Sequence, residues 1–438
     1  MKTVRKMSIK ELECGFLVMK KVFLFLVAVI SIAWAIASGL QAEGLKPVDP
    51  VYFTVKQYEK VEVDNSFAFK MFWTISNLQG ANTFFSPLSL NMALGMLYNG
   101  TSGNTRTEMV KALGIADFSE SEINAYYRRL SQILLGVDSA TNISIANSIW
   151  YRDTLHIKNS FIETGKKCFD AEVQALDFNN PNAASIINNW CAGKTKNRIN
   201  NIVANPLSSD GMMYLINAVY FKSNWQKRFD KDKTKLDDFT TTDNQKKKAL
   251  MMEQTTELPY YADQYLQCVE LPYGNPASRF SFMQGFRMAV ILPSENTNIN
   301  QFIENFTYTK LKYVVDYLNR KSGKEVWLKL PRFKIECELP LNQPVMNVGM
   351  KQIFDKDFAD FANIAADPLY VSQIKQKTFV EVNEEGTEAA AVTAGGPITI
   401  GWTPPEPEHF FANRPFLFLI WEKSTGVILF IGRIDEPS

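Results

Sequence analysis

Only two histidines, His156 and His409, occur among the 438 residues, and that scarcity decides most of the catalytic options. A Ser-His-Asp triad needs an imidazole held beside an activated hydroxyl. His156 lies in a short stretch after a strand pattern and His409 in a proline-rich loop, and no G-x-S-x-G elbow is present. The cysteines, Cys14, Cys168, Cys191, Cys268 and Cys337, form no C-x-x-C pair, and no His/Cys/Asp cluster has zinc spacing. Neither a G-x-G-x-x-G turn nor a Walker-type loop occurs. The adjacent acids Glu384-Glu385 read as a solvated face. The chain therefore reads as no enzyme, with no metal and no cofactor.

What remains unusual is Glu384–Pro407, EEGTEAAAVTAGGPITIGWTPPEP, about twenty residues with no element pattern. Such a length inside a compact domain signals function or disorder. Its first part is almost all small residues, and from Pro404 it is stiff and proline-rich. Side chains of a strand alternate between faces. Thr387, Ala389, Ala391 and Thr393 would share one small face, with Glu388, Ala390 and Val392 on the other. An Ala-rich run leans toward helix or coil when alone, yet this one has no bulk to prevent it sliding between strands. It suits a switch; a mobile surface loop is the plainer alternative.

The elements around it must hold that segment. Ser86-Pro87 opens a helix as N-cap and first helical residue, with Leu90, Ala93, Leu94 and Leu97 as its stripe and Gly100 as a stop. Helix spacing also marks Thr105–Leu113 before Gly114, Tyr126–Leu135 and Ala183–Thr195. Strand patterns follow at Ile143–Asn147, Met213–Phe221, Met288–Leu292, Trp327–Ile335, Thr378–Val382, Phe416–Trp421 and Val427–Ile434. Lys246-Lys247-Lys248 reads as a solvated turn before a strand. Helices first and strands later indicate an α+β fold.

With 46% hydrophobic residues and a net charge of +1, the chain is globular and offers nothing to nucleic acid. No repeat or linker divides residues 50–438, which read as one domain. Lys20-Lys21, the apolar run Val22–Ile30 and the small residues near Ala35-Ile36-Ala37 and Leu40-Gln41-Ala42 follow the order of a secretory signal, with Met19 as an alternative start. An uncleaved anchor is the competing reading, since about 20 apolar residues can span a bilayer. Loss of residues 1–42 would remove six basic and two acidic residues and leave a net charge of −3. The expectation is thus a signal peptide over 1–42, a domain over 43–438, secretion to an extracellular or periplasmic space, and no membrane association after cleavage. The four remaining cysteines are expected mostly as buried thiols, and Asn99, Asn142 and Asn305 begin N-x-S/T sequons.

Against these readings, five blocks become recognisable. FVEVNEEGTEAAA from Phe379 strongly resembles the hinge of the serpin family, and FFANRPFLFLIWEKSTGVILFIGRI from Phe410 looks like its signature. FFSPLSLNMALGMLYNGTSGNTRTEM from Phe84, NAVYFKSNWQKRFD from Asn217 and LQCVELPYGN from Leu266 agree in the same order, spanning nearly all of residues 65–436. The resemblance implies one metastable, monomeric domain with three β-sheets, eight or nine helices and a reactive loop over about 384–412. It implies a single-use inhibitor of a serine protease. The protease attacks the loop, becomes an acyl-enzyme, and is trapped as the cleaved loop inserts into the main sheet. A non-inhibitory carrier or chaperone of the same fold, and an inhibitor of papain-like cysteine proteases, are the alternatives.

The resemblance also assigns residues. The hinge is Gly386, Thr387, Glu388, Ala389, Ala390 and Ala391. Fourteen residues beyond the hinge glycine lies Ile400, giving Ile400–Gly401 as the scissile bond; Thr399 and Trp402 are alternative baits, because counting back from Asn413-Arg414-Pro415 gives a later position. An aliphatic bait suits an elastase-like pocket and Trp402 a chymotrypsin-like one. The absence of a basic residue between Glu388 and Arg414 disfavours a trypsin-like target. Pro397 lacks a ladder donor and falls near the far end of the insertion. Ser86, Ser89 and Asn217 match the polar cluster under the sheet opening. Gln376 stands where the family usually has histidine, and glutamine can likewise donate and accept. Trp225 matches the tryptophan at the top of the sheet, where Arg332 and Glu384 occupy positions that typically pair.

Overall fold

Ser86 caps its helix as its type predicts: the hydroxyl accepts the Ser89 amide at 3.2 Å, with Pro87 at the first helical position. The computed structural model describes residues 53–80, 82–138, 140–274, 285–386 and 406–437. The order begins α1 (Val55–Gln79), β1 (Thr83–Phe85), α2 (Pro87–Tyr98), α3 (Gly103–Leu113), α4 (Glu120–Gly136), β2 (Asn142–Arg152), α5 (Asn159–Phe169), β3 (Glu172–Leu176) and α6 (Ala183–Lys194). Next come β4 (Met213–Lys222), β5 (Lys235–Thr240), β6 (Lys246–Leu258), β7 (Tyr260–Ala262), β8 (Leu266–Pro272), β9 (Phe286–Pro293), α7 (Ile299–Asn305) and α8 (Tyr308–Arg320). It closes with β10 (Lys324–Pro331), β11 (Phe333–Pro340), α9 (Asn342–Asn347), β12 (Gln373–Val382), β13 (Glu408–Phe411), β14 (Phe416–Glu422) and β15 (Ile428–Ile434).

The described residues form three sheets and nine α-helices, an α+β arrangement. The strand orders are β11-β12-β4-β2-β3, β13-β10-β6-β5 and β1-β15-β14-β9-β8-β7. Strands β14 and β15 are buried along their whole length, and only Glu422 and Arg433 interrupt their apolar sequences.

Several local expectations need correction. Trp327–Ile335 is not one strand: β10 pairs with β6 and β13, whereas β11 pairs with β12, so the chain changes sheet across Pro331 and Arg332. Lys246-Lys247-Lys248 is not a turn but the start of β6, opposite Thr240, Phe239 and Asp238 of β5. Helix α2 ends at Tyr98 with Asn99 as its cap, not at Gly100. Helix α4 begins at Glu120, six residues before the Tyr126 expected, because Ser119 and Glu122 form a capping box. His409 lies in strand β13 rather than in a loop.

Candidate functional site

In the five-stranded sheet, β12 runs parallel to β4, and both of their outer neighbours β11 and β2 are antiparallel to them. Parallel neighbours need a long crossover, and here the two strands belong to distant parts of the chain, Met213–Lys222 and Gln373–Val382. No short turn ties them. Their contact rests on the ladder from Gln373↔Tyr214 to Phe379↔Tyr220 and on whatever grips them from beneath and above.

Beneath, the cap of α2 meets the sheet. Gln376 and Asn217 are partners across the parallel pair, and Asn217 faces Asn147 on β2. The Gln376 carboxamide clamps one residue twice: the Ser86 amide donates to its Oε1 at 2.7 Å, and its Nε2 donates to the Ser86 carbonyl at 2.9 Å. The Ser86 hydroxyl donates to the Leu429 carbonyl of β15 at 2.7 Å. Ser89 Oγ and Asn217 Nδ2 both donate to Asn147 Oδ1, at 3.1 and 2.7 Å. On the same strand as Gln376, Thr378 donates to the Phe84 carbonyl at 2.7 Å. All six side chains are fully buried, so each bond made here replaces one that water would otherwise supply. Ser86, Ser89, Asn217 and Gln376 are therefore brought together as one network. Asn147 and Thr378 belong to it and were missed. The alternation at Ile143–Asn147 put Asn147 on a strand, but nothing local announces a buried asparagine's partners.

Above, β12 ends in a turn closed by reciprocal Asn383 and Gly386 amide–carbonyl bonds of 3.1 and 3.2 Å. The segment after β4 holds that turn. The Trp225 amide donates to the Glu385 carbonyl at 3.0 Å, the Phe229 amide to the Glu384 carbonyl at 2.9 Å, and the Trp225 indole to the Asn383 carbonyl at 2.9 Å. Trp225 is buried and stacks on Tyr273, ring centres 4.4 Å apart. Gly386 is required twice over. Its φ is +116°, and a Cβ there would stand 2.4 Å from the Trp225 nitrogen and 2.6 Å from the Ser223 carbonyl oxygen.

Arg332 approaches from β11's entrance: its Nε donates to Glu384 Oε1 at 2.7 Å, and Thr234 donates to the same oxygen. The Glu384 side chain is 2% exposed. Burial by itself would raise its pKa, but the bonds from Arg332 and Thr234 outweigh it and hold the carboxyl below its ordinary 4.5. Lys231 pairs with the next acid, Glu385, at 2.5 Å. Glu384-Glu385 is thus not a solvated pair, since both acids are engaged. Thr234, Tyr273 and Asn383 join Trp225, Arg332 and Glu384 here without a sequence signal that found them. Thr387, Glu388, Ala389, Ala390, Ala391, Thr399, Ile400, Gly401 and Trp402 lie outside the described residues.

The histidines have no nucleophile among the contacts they make. His156 is almost wholly exposed, 3.5 Å from Asp367, and His409 stands edge-on to Trp327 and stacks on Phe411. Cys191, Cys268 and Cys337 are buried free thiols, and burial pushes Cys191 up to about 12, so it stays protonated. Cys168 is free and half-buried. Among the described residues no acid, His or Cys group could hold a metal, and no helix is long and apolar enough to cross a membrane.

Residues 62–437 match the family model described as serpin (serine protease inhibitor). Iripin-2 of Ixodes ricinus is 31% identical over 86% of this chain and 93% of its own length. Leukocyte elastase inhibitor of Homo sapiens is 32% identical over 85% of this chain and 97% of its own length. Among solved structures, the thermophilic serpin tengpin in its native state superposes with a TM-score of 0.76 at 28% identity, covering 91% of this chain and 96% of tengpin. Human thyroxine-binding globulin complexed with thyroxine superposes at 0.77 with 26% identity, covering 88% of this chain and all of that one.

Proposed function

This chain belongs to the serpin family, described as serine protease inhibitors and not as enzymes though it also holds non-inhibitory carriers, and on that premise we propose that it is a secreted, single-use inhibitor of an elastase-like or chymotrypsin-like serine protease. One observation carries the reading: β4 and β12 are parallel neighbours, and the chain leaving β12 turns back at residues 383–386 over the end of β4. A strand continuing from that turn runs antiparallel to β12. Because β4 is parallel to β12, the same strand is antiparallel to β4 as well. Insertion therefore replaces one parallel ladder with two antiparallel ones, which are more stable per residue. The intact molecule cannot reach that state while its loop is anchored at both ends, at Gly386 and at β13.

Cleavage removes one anchor. The protease serine attacks the carbonyl of the bait residue, which we assign to Ile400, and the amine of Gly401 leaves. Thr399 and Trp402 are the alternative baits. The hinge from Gly386 through Thr387, Glu388, Ala389, Ala390 and Ala391 then enters first. Its small face is what a crowded sheet interior admits, and Thr387 is the first residue to be buried. About 15 inserted residues at about 3.3 Å each carry the ester-linked protease about 50 Å, to the opposite end of the sheet. Hydrolysis of the ester then depends on a protease dragged out of its working geometry. In this scheme Ser86, Ser89, Asn217 and Gln376 set the barrier to parting β4 from β12. Trp225, Arg332 and Glu384 set the barrier at the top, where insertion starts.

A carrier role is the second reading, favoured by the likeness to thyroxine-binding globulin. The small-residue hinge weighs against it. The deciding experiment mixes the protein with elastase, chymotrypsin and a papain-like protease and looks for a band that survives denaturant. We expect a covalent complex with elastase or chymotrypsin. Quantitative cleavage without complex would assign the chain to the non-inhibitory class, and a complex with the papain-like enzyme alone would move the target to cysteine proteases. Mass analysis of the released C-terminal peptide identifies the bait bond.

A further inference from the structure

The sequons at Asn99, Asn142 and Asn305 are equal in sequence and unequal in the fold. N-glycosylation joins the Asn Nδ2 to the anomeric carbon of an oligosaccharide. A C1–N bond forms, the C1–O bond to a lipid pyrophosphate donor breaks, the pyrophosphate leaves, and Nδ2 gives up one proton. The side chain must therefore spare an N–H and face solvent. Asn99 can do neither: it is buried at 8% exposure, and its Nδ2 already donates twice, to the Gly95 carbonyl and to Asn124 Oδ1, both at 2.9 Å. Asn142 is exposed at the start of β2, its carbonyl accepting from Lys196 at 2.8 Å. Asn305 is exposed at the last residue of α7, and its Nδ2 makes one bond, to the Gln301 carbonyl at 2.8 Å. One N–H is left for substitution while the other keeps that bond.

Asn305 also stands in the wall of a 730 Å³ cleft between α7, α8 and the β7–β8 turn. The cleft mixes aromatic rings, among them Tyr265, Tyr313 and Phe306, with polar side chains such as Asp263 and Gln301. Tyr265 and Tyr313 are each 64% exposed, unusual for rings that size. Tyr313 is held by Tyr261, 6.1 Å away edge-on, and Tyr261 in turn donates to Asp263 at 2.8 Å. Exposed ring faces beside amide and carboxylate groups suit a pyranose, whose C–H face lies against the negative face of an aromatic ring while its hydroxyls bond at the rim. We propose that Asn305 is an N-glycan attachment site and that the first sugars of its own glycan lie in this cleft, over Tyr313 and Tyr265.

The test is independent of residues 1–42, because the chain is exported from cultured animal cells behind a borrowed leader. Peptide mass analysis should find Asn305 glycosylated and Asn99 bare, with Asn305→Gln abolishing the modification there. Glycosidase release from Asn305 in the native protein should be slower than after denaturation. Tyr313→Ser should speed native release about fivefold, the effect of losing one stacked ring, with the denatured rate unchanged. A bare Asn305, or native release indifferent to Tyr313→Ser, overturns the proposal; so does a cleft that binds free chito-oligosaccharide equally whether or not Asn305 carries its glycan.

Discussion

Glu384 concentrates the top of the sheet on one carboxylate. Its backbone carbonyl holds Phe229, its side chain holds Arg332 and Thr234, and it lies two residues before the glycine that no side chain could replace. Glu384→Lys places a second cation against Arg332 in a buried site, a cost of several kcal/mol if uncompensated. The expected result is loop–sheet polymers on mild heating, seen as a ladder on a native gel; a variant that stays monomeric contradicts the pairing's role. The same site fixes a pH dependence. The folded pKa of Glu384 lies below its ordinary 4.5. Its contribution is therefore fully present above that value and is lost as pH falls through the folded pKa. Polymerisation of the intact protein should accelerate as pH drops below about 4.5, the ordinary glutamate value. Glu384→Gln should polymerise faster than wild type at neutral pH and lose most of that acid step.

Among the elements, the parallel pair β4–β12 is the one whose separation matters. The Gln376 clamp on Ser86 ties β12 to the cap of α2, and through the Ser86 hydroxyl to β15. Gln376→Leu strands the buried Ser86 amide, at about 1–3 kcal/mol, while the Ser86 carbonyl loses one bond and keeps the Leu90 amide at 3.3 Å. We expect a melting point several degrees lower and faster conversion to an inactive form at 37 °C, followed by loss of complex-forming activity. Gln376→His, which restores a donor and an acceptor, should fall between. Element by element, legibility in the sequence followed simple local physics. Helix α2 was readable because Ser86, Pro87 and a regular stripe coincide, and β4 because it is apolar from Met213 to Phe221 apart from Asn217. Helix α1, at 25 residues, escaped notice because Lys60, Asp64 and Asn65 are buried within it and blur its apolar face. Lys60 pairs with Asp64 there, and Tyr127 also bonds that carboxyl. The β10–β11 run reads as one strand because apolar and polar residues alternate on both sides of the break, although Pro331, which cannot donate to a ladder, stands at it. Only the partner strands, far away in sequence, reveal the change of sheet at Arg332.

For the whole molecule, the fold was legible through five blocks in family order, but the way the top of the sheet is held was not. Trp225 and Thr234 from the β4–β5 connection and Arg332 from the β10–β11 junction converge on residues 383–385, and no single stretch of sequence encodes that meeting. The native arrangement leaves a parallel pair in the middle of an otherwise mostly antiparallel sheet. Under the proposed mechanism that pair is a conformational reservoir, released by cutting one peptide bond. The most direct measurement is thermal unfolding before and after a single nick in the loop by a non-target protease. The account predicts that the nicked protein melts far above the intact one, by tens of degrees. Equal or lower melting after the nick would contradict it and leave only the family and the fold.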